Sequence, residues 1–109
     1  MSRQLYPRRE SAEAAFHLRM VGIYDRALCE VGYKASLFLR MVSEHGGLET
    51  ARRLLAQPSP SDGFTALWEA GRLDLTMEVL VLEDEFADLF TPLELRTARR
   101  RLNDYGFET

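Results

Sequence analysis

Cysteine is nearly absent from this chain, and long apolar stretches are absent altogether. Cys29 is the only cysteine among the 109 residues, so no disulfide can form within the chain. A single thiolate also excludes a zinc site that uses two or more cysteines of the same chain. The longest stretch without a charged residue is the eight residues 54–61. Because a membrane-spanning helix needs about 20 apolar residues, we expect no membrane span.

The first nine residues lack the apolar core of a secretory signal. Together with the lone thiol, this favours a cytoplasmic protein. The composition, with 46% hydrophobic and 28% charged residues, is that of one globular domain. We expect an N-terminal arm over residues 1–10 and a single helical domain over 11–107.

Strand patterns are also almost missing, whereas apolar residues recur at three- and four-residue spacing along most of the chain. The predicted fold is therefore all-α, a single-domain compact bundle of five to six short helices. The run Val79-Leu80-Val81-Leu82 is interpreted as a buried helix, since no second strand exists to pair with it. Helices are expected over 11–31, 34–44, 48–56, 63–70, 75–82 and 91–104, with a helical turn over 86–90.

Two helix starts carry capping signals. Thr91, Pro92 and Glu94 together predict a capping box with proline in the first turn. Asp74 is predicted to cap the helix that begins at Leu75. Large apolar residues at helical spacing predict the core, which comprises Phe38, Met41, Leu54, Phe64, Leu67, Trp68, Leu80, Leu82, Phe90, Leu95 and Leu102.

Residues 63–78 read Gly-Phe…Leu-Trp…Gly-Arg-Leu-Asp-Leu-Thr…Glu, preceded by Gly-Gly…Ala-Arg…Leu-Leu and followed by Leu-Phe-Thr…Ala-Arg…Arg-Leu. Over about residues 33–107 this pattern resembles a set of small bacterial helical proteins of uncharacterised function. The resemblance implies a helical fold and no particular activity.

No residue combination predicts catalysis. His17 lies twelve residues before Cys29 on the same predicted helix, about 18 Å along its axis, so the two cannot form a dyad. His45 stands at a predicted helix end, where it favours a C-terminal cap. The carboxylates of residues 83–88 lack the spacing and central glycine of a calcium loop, and no phosphate-binding glycine loop is present. We therefore expect no catalytic residue, metal or cofactor.

The nearest candidate for acid–base chemistry is the pair Asp74 and Glu78, which are four residues apart with Arg72 close by. No other chemical group converges with them in the sequence. A structural arrangement is favoured, in which Asp74 caps its helix and Arg72 connects Glu78 to a neighbouring helix.

A nucleic-acid interface is the alternative function. The predicted helices 34–44 and 48–56, joined by His45-Gly46-Gly47, have the outline of a helix-turn-helix. In that arrangement Glu49, Thr50, Arg52 and Arg53 would line the outer face of the reading helix. The basic pair Arg8 and Arg9 would extend the surface. The formal net charge of −3 argues against it, because phosphate neutralisation supplies much of the affinity for nucleic acids.

The favoured function is a non-catalytic module that self-associates or binds a partner protein. Charge is segregated along the chain: residues 58–109 carry eleven acidic and five basic side chains, whereas residues 1–57 carry nine basic and six acidic ones. Such segregation suits electrostatic recognition between proteins. The predicted basic surface is a solvent-facing stripe of Arg96, Arg99, Arg100 and Arg101, and the predicted acidic surface comprises Glu83, Asp84, Glu85 and Asp88.

Overall fold

The computed structural model describes residues 9–109, and within them it contains six α-helices and no strand. A π-helical turn over Ala27–Val31 extends the first helix, and two short 3₁₀ segments cover Leu73–Leu75 and Asp84–Leu89. The all-α prediction is therefore confirmed. The helices are α1 (Arg9–Arg26), α2 (Ser36–His45), α3 (Gly47–Leu55), α4 (Asp62–Glu69), α5 (Met77–Val81) and α6 (Pro92–Asp104).

Three of these helices begin at a hydroxyl side chain that accepts a backbone N–H. Ser61 accepts from Phe64 at the start of α4, and Thr91 accepts from Glu94 at the start of α6. The Glu94 carboxylate accepts in return from the Thr91 N–H, so the predicted capping box is confirmed. The prediction for Asp74 is wrong: Thr76 caps α5 instead. Asp74 lies in the preceding 3₁₀ turn, where Arg72 binds its carboxylate.

The core forms where α1, α3, α5 and α6 meet. Phe16 of α1 is fully buried and packs edge-to-face against Phe86 and Phe90, with ring centroids 5.2 and 5.3 Å apart. Small residues on α3 and α6, Ala51 and Ala98, are also fully buried and allow the helices to approach closely. Of the predicted core, Phe64, Leu67, Leu80, Phe90 and Leu102 are buried, and Phe38, Met41, Leu54, Leu82 and Leu95 are partly buried.

The prediction that Trp68 belongs to the core is wrong, because 44% of its surface is exposed. The eight-residue helix α4 turns Phe64 and Leu67 inward. Trp68 lies at the edge of that face, where its ring packs edge-to-face with Tyr105, with ring centroids 5.1 Å apart. The indole is therefore half-exposed and pairs with Tyr105.

The substitution Trp68→Ala is expected to lower the free energy of unfolding by about 2 kcal/mol, since the aromatic pair and the partial burial of the indole each contribute roughly 1 kcal/mol. Urea denaturation measures the change, with the exposed neighbour substitution Glu69→Ala as the control. A loss of about 3 kcal/mol or more would instead be typical of a fully buried aromatic and would return Trp68 to the core.

Candidate functional site

The outer face of α6 carries exposed arginines on successive turns. Ala98 and Leu102 face the core and are fully buried. Arg96 and Arg100 lie one turn apart on the opposite side, with Arg99 beside them, and all three are exposed. Leu93 lies one turn before Arg96, with 63% of its surface exposed. We call Leu93, Arg96, Arg99 and Arg100 the α6 arginine face.

These three arginines differ from the others in the described part of the chain. Of the eleven arginines in residues 9–109, seven bind a carboxylate, and Arg9 donates to the backbone oxygen of Asp88. Within the same residues, Arg96, Arg99 and Arg100 bind no carboxylate. The paired arginines are Arg19, Arg26, Arg40, Arg52, Arg53, Arg72 and Arg101.

Arg101 is not part of this face, and the prediction that it faces solvent is wrong. Only 4% of its surface is exposed. Its guanidinium donates to the Glu78 carboxylate at 3.1 Å and to backbone oxygens of Leu54, Gln57 and Ser59 at 3.2, 2.7 and 3.4 Å. Arg101 is thus a structural residue that joins α6 to α5, to the end of α3 and to the following loop.

The prediction that Arg72 connects Glu78 to a neighbouring helix is also wrong. Arg72 donates to Asp74 at 3.0 Å and to Glu30, in the π-helical turn after α1, at 2.8 Å. These hydrogen bonds lower the pKa values of both Asp74 and Glu30. Asp74 and Glu78 therefore have different cationic partners and do not form a carboxylate pair.

Two of the four predicted acidic residues already have a cationic partner within the chain. Arg19 of α1 binds both Glu83 and Glu85. Asp84 and Asp88 are exposed and, within residues 9–109, take part in no ion pair. The acidic segment therefore helps to hold α1 against the 3₁₀ segment.

The two helices of the predicted helix-turn-helix are present as α2 and α3, but one predicted outer-face residue is misplaced. Thr50, predicted on the outer face of the reading helix, is fully buried, on a helix that packs against α1, α2 and α6. Arg52 binds Glu94 of α6, and Arg53 binds Glu49 on its own helix, both at 2.9 Å. Arg9 is exposed, and Arg8 lies outside the described residues.

A pocket of about 280 Å³ lies between α1, α2, α4 and α5. Apolar side chains form most of its wall, and Glu78 is among the lining residues. Only 2% of the Glu78 surface is exposed, and this burial raises the pKa of its carboxyl group, although Arg101 acts in the opposite direction. This pocket was not predicted from the sequence. The available signal was Glu78, a carboxylate directly before the apolar run 79–82, because a carboxylate buried among apolar residues needs a cation beside it.

His17 and Cys29, the pair considered for catalysis, have different surroundings. His17 accepts the backbone N–H of Gly47 on its Nδ1 atom at 2.9 Å, and Cys29 is exposed. Among residues 9–109, no three His, Cys, Asp or Glu side chains come together as metal ligands would. No helix in that range is long and apolar enough to cross a membrane.

Comparison of the chain with models of protein families, with curated proteins and with solved structures finds no match. The resemblance to small bacterial helical proteins therefore stays a prediction.

Proposed function

We propose that this protein is a non-catalytic helical interaction module whose α6 arginine face binds an acidic segment of a partner protein. The observation that carries the proposal is the absence of carboxylate partners for Arg96, Arg99 and Arg100 within residues 9–109, where seven other arginines have one. Arginine presents planar donors that match carboxylates in a bidentate geometry. The exposed Leu93 adds an apolar contact at one end of the face.

Two observations favour an acidic protein over the alternatives. Thr50 is buried, and Arg52 and Arg53 each bind a carboxylate, so the surface predicted for nucleic acid offers fewer unpaired donors than the α6 arginine face. Self-association through the acidic segment 83–88 is disfavoured because Glu83 and Glu85 already bind Arg19.

Two of the groups considered for chemistry, His17 and Glu78, have structural partners, which supports a non-catalytic module. His17 accepts the first N–H of α3, and Glu78 binds Arg101. A cytoplasmic location belongs to the same proposal.

Replacing Arg96, Arg99 and Arg100 together by alanine is expected to weaken binding of a fluorescent glutamate-rich peptide by about tenfold, because each exposed arginine–carboxylate contact contributes up to about 1 kcal/mol. Fluorescence anisotropy at low ionic strength measures the dissociation constant. The matched control replaces Arg26, Arg40 and Arg53 by alanine. Each of these exposed arginines is paired four residues away on or beside its own helix, and the control changes the net charge equally.

The control variant is expected to bind the peptide like the unmodified protein. Equal loss in both variants would show that net charge alone matters and would overturn the assignment to α6. Tighter binding of a short DNA duplex than of the peptide, with a steep salt dependence that the α6 variant reduces, would establish the nucleic-acid alternative. A concentration-dependent dimer in sedimentation equilibrium, lost in the α6 variant, would establish self-association.

A further inference from the structure

The pocket between α1, α2, α4 and α5 combines apolar walls with one buried charged group. Its apolar lining includes Phe38 and Met41 of α2, Phe64 and Leu67 of α4, and Met77 of α5. Its volume of about 280 Å³ is nearly twice that of an engineered apolar cavity of about 150 Å³ that binds benzene. The space therefore suits a molecule with two fused rings or a chain of similar bulk.

Glu78 gives this apolar pocket a specific polar contact. Its Oε2 atom accepts from Arg101 at 3.1 Å, and no other side chain in residues 9–109 donates to the carboxylate. While Glu78 is ionised, each of its oxygens can only accept hydrogen bonds. The carboxylate also accepts a backbone hydrogen bond at Glu78 itself. Its two oxygens together offer about four acceptor sites, so capacity remains for a donor that enters the pocket.

The charge of the pair determines which donor fits. Glu78 and Arg101 form a pair with no net charge, and both are almost completely buried. A ligand ammonium group would add an unbalanced positive charge to this interior, which is costly, whereas a neutral N–H or O–H would add none. The lining also includes the exposed residues Lys34 and Asp62 and the hydroxyl-bearing residues Ser36, Ser61 and Thr76, whereas Glu78 is its buried charged group. Apolar walls with a few placed polar groups are typical of small-molecule sites.

We propose that this pocket binds a small, neutral, mainly apolar ring compound that donates one N–H or O–H hydrogen bond to Glu78. The site is separate from the α6 arginine face, so this proposal does not depend on the proposed protein partner.

Indole and benzofuran test the proposal on the unmodified protein. The two probes have nearly the same shape, but only indole has an N–H donor. In amide chemical-shift titrations, indole is expected to shift the signals of residues that line the pocket, Ala27, Phe38 and Leu67 among them. Benzofuran is expected to bind about tenfold more weakly or worse, because it would leave the buried carboxylate oxygen without a donor.

Three results would overturn the proposal: equal affinity for the two probes, indole-induced shifts only outside the pocket, or no indole binding. A double variant, Glu78→Leu with Arg101→Met, removes the acceptor and replaces the ion pair by apolar side chains. It is expected to bind indole and benzofuran with similar affinity. Retained discrimination would assign donor recognition to another group. Since the probe comparison needs no variant, it remains decisive if the double variant fails to fold.

Discussion

Replacing Arg101 by methionine is expected to lower the free energy of unfolding by about 3–5 kcal/mol, the loss typical of breaking a buried ion pair. The substitution preserves much of the side-chain bulk but removes every donor. It leaves the Glu78 carboxylate buried without its cation. It also removes the donors to the backbone oxygens of Leu54, Gln57 and Ser59. Urea denaturation followed by far-ultraviolet circular dichroism measures the change.

The matched control is Arg100→Met, the adjacent residue on the exposed side of α6, which is expected to change stability by less than about 0.5 kcal/mol. Glu78→Gln is expected to cost less than Arg101→Met. Its amide oxygen can still accept from Arg101, and three backbone oxygens remain around the guanidinium. The double variant Glu78→Leu with Arg101→Met is expected to recover part of the loss, because apolar side chains can replace a buried pair.

A loss below about 1 kcal/mol for Arg101→Met would contradict this account, since it would mean that the buried carboxylate and the backbone oxygens find other donors. A double variant no more stable than Arg101→Met alone would show that the loss comes from the loop oxygens rather than from the unpaired carboxylate.

Local signals made most of the fold predictable from the sequence. The capping box at Thr91 uses residues only three positions apart, so its hydrogen bonds can form within one turn of chain. Apolar spacing in α6 correctly placed Ala98 and Leu102 inward and Arg96, Arg99 and Arg100 outward. The all-α class followed from the same periodicity, because apolar residues at three- and four-residue spacing indicate a helix without knowledge of what the helix packs against.

The errors concern residues whose environment is set by distant parts of the chain. Arg101 shares a helix with three exposed arginines, but its partners come from residues 54, 57, 59 and 78, which sequence spacing on α6 cannot reveal. Thr50 is buried on a helix that packs against α1, α2 and α6. Trp68 is half-exposed at the edge of α4, where it pairs with Tyr105 from beyond the end of α6. In each case tertiary packing, and not the type of residue, determines how much of the side chain is exposed.

The pocket was unpredictable for a related reason. Its lining is assembled from five segments of chain that are far apart in sequence, and its volume depends on how their helices cross. Only Glu78 beside the apolar run 79–82 carried a signal. That signal indicated that a buried cation was needed, but several arginines could have supplied it.

Gly47→Ala is expected to destabilise the protein by about 2–4 kcal/mol, combining an overpacked helix contact with a lost buried hydrogen bond. A β-carbon at position 47 would lie 2.7 Å from the Cα atom of His17 and 3.2 Å from Cγ of Met20. Because the first contact is with backbone, α3 would have to move away from α1. That movement would also stretch the 2.9 Å hydrogen bond from the Gly47 N–H to His17 Nδ1, which satisfies the start of α3.

The control for Gly47→Ala is Gly22→Ala within α1, where a β-carbon would have no neighbour within 4 Å. Alanine is the better helix former by about 0.5–1 kcal/mol, so the control is expected to raise stability by that amount. Urea denaturation of both variants therefore gives opposite signs for the same chemical change. If Gly47→Ala were as stable as the unmodified protein, α1 and α3 could not approach as closely as the His17 contact requires, because a methyl group has no room between them at that distance.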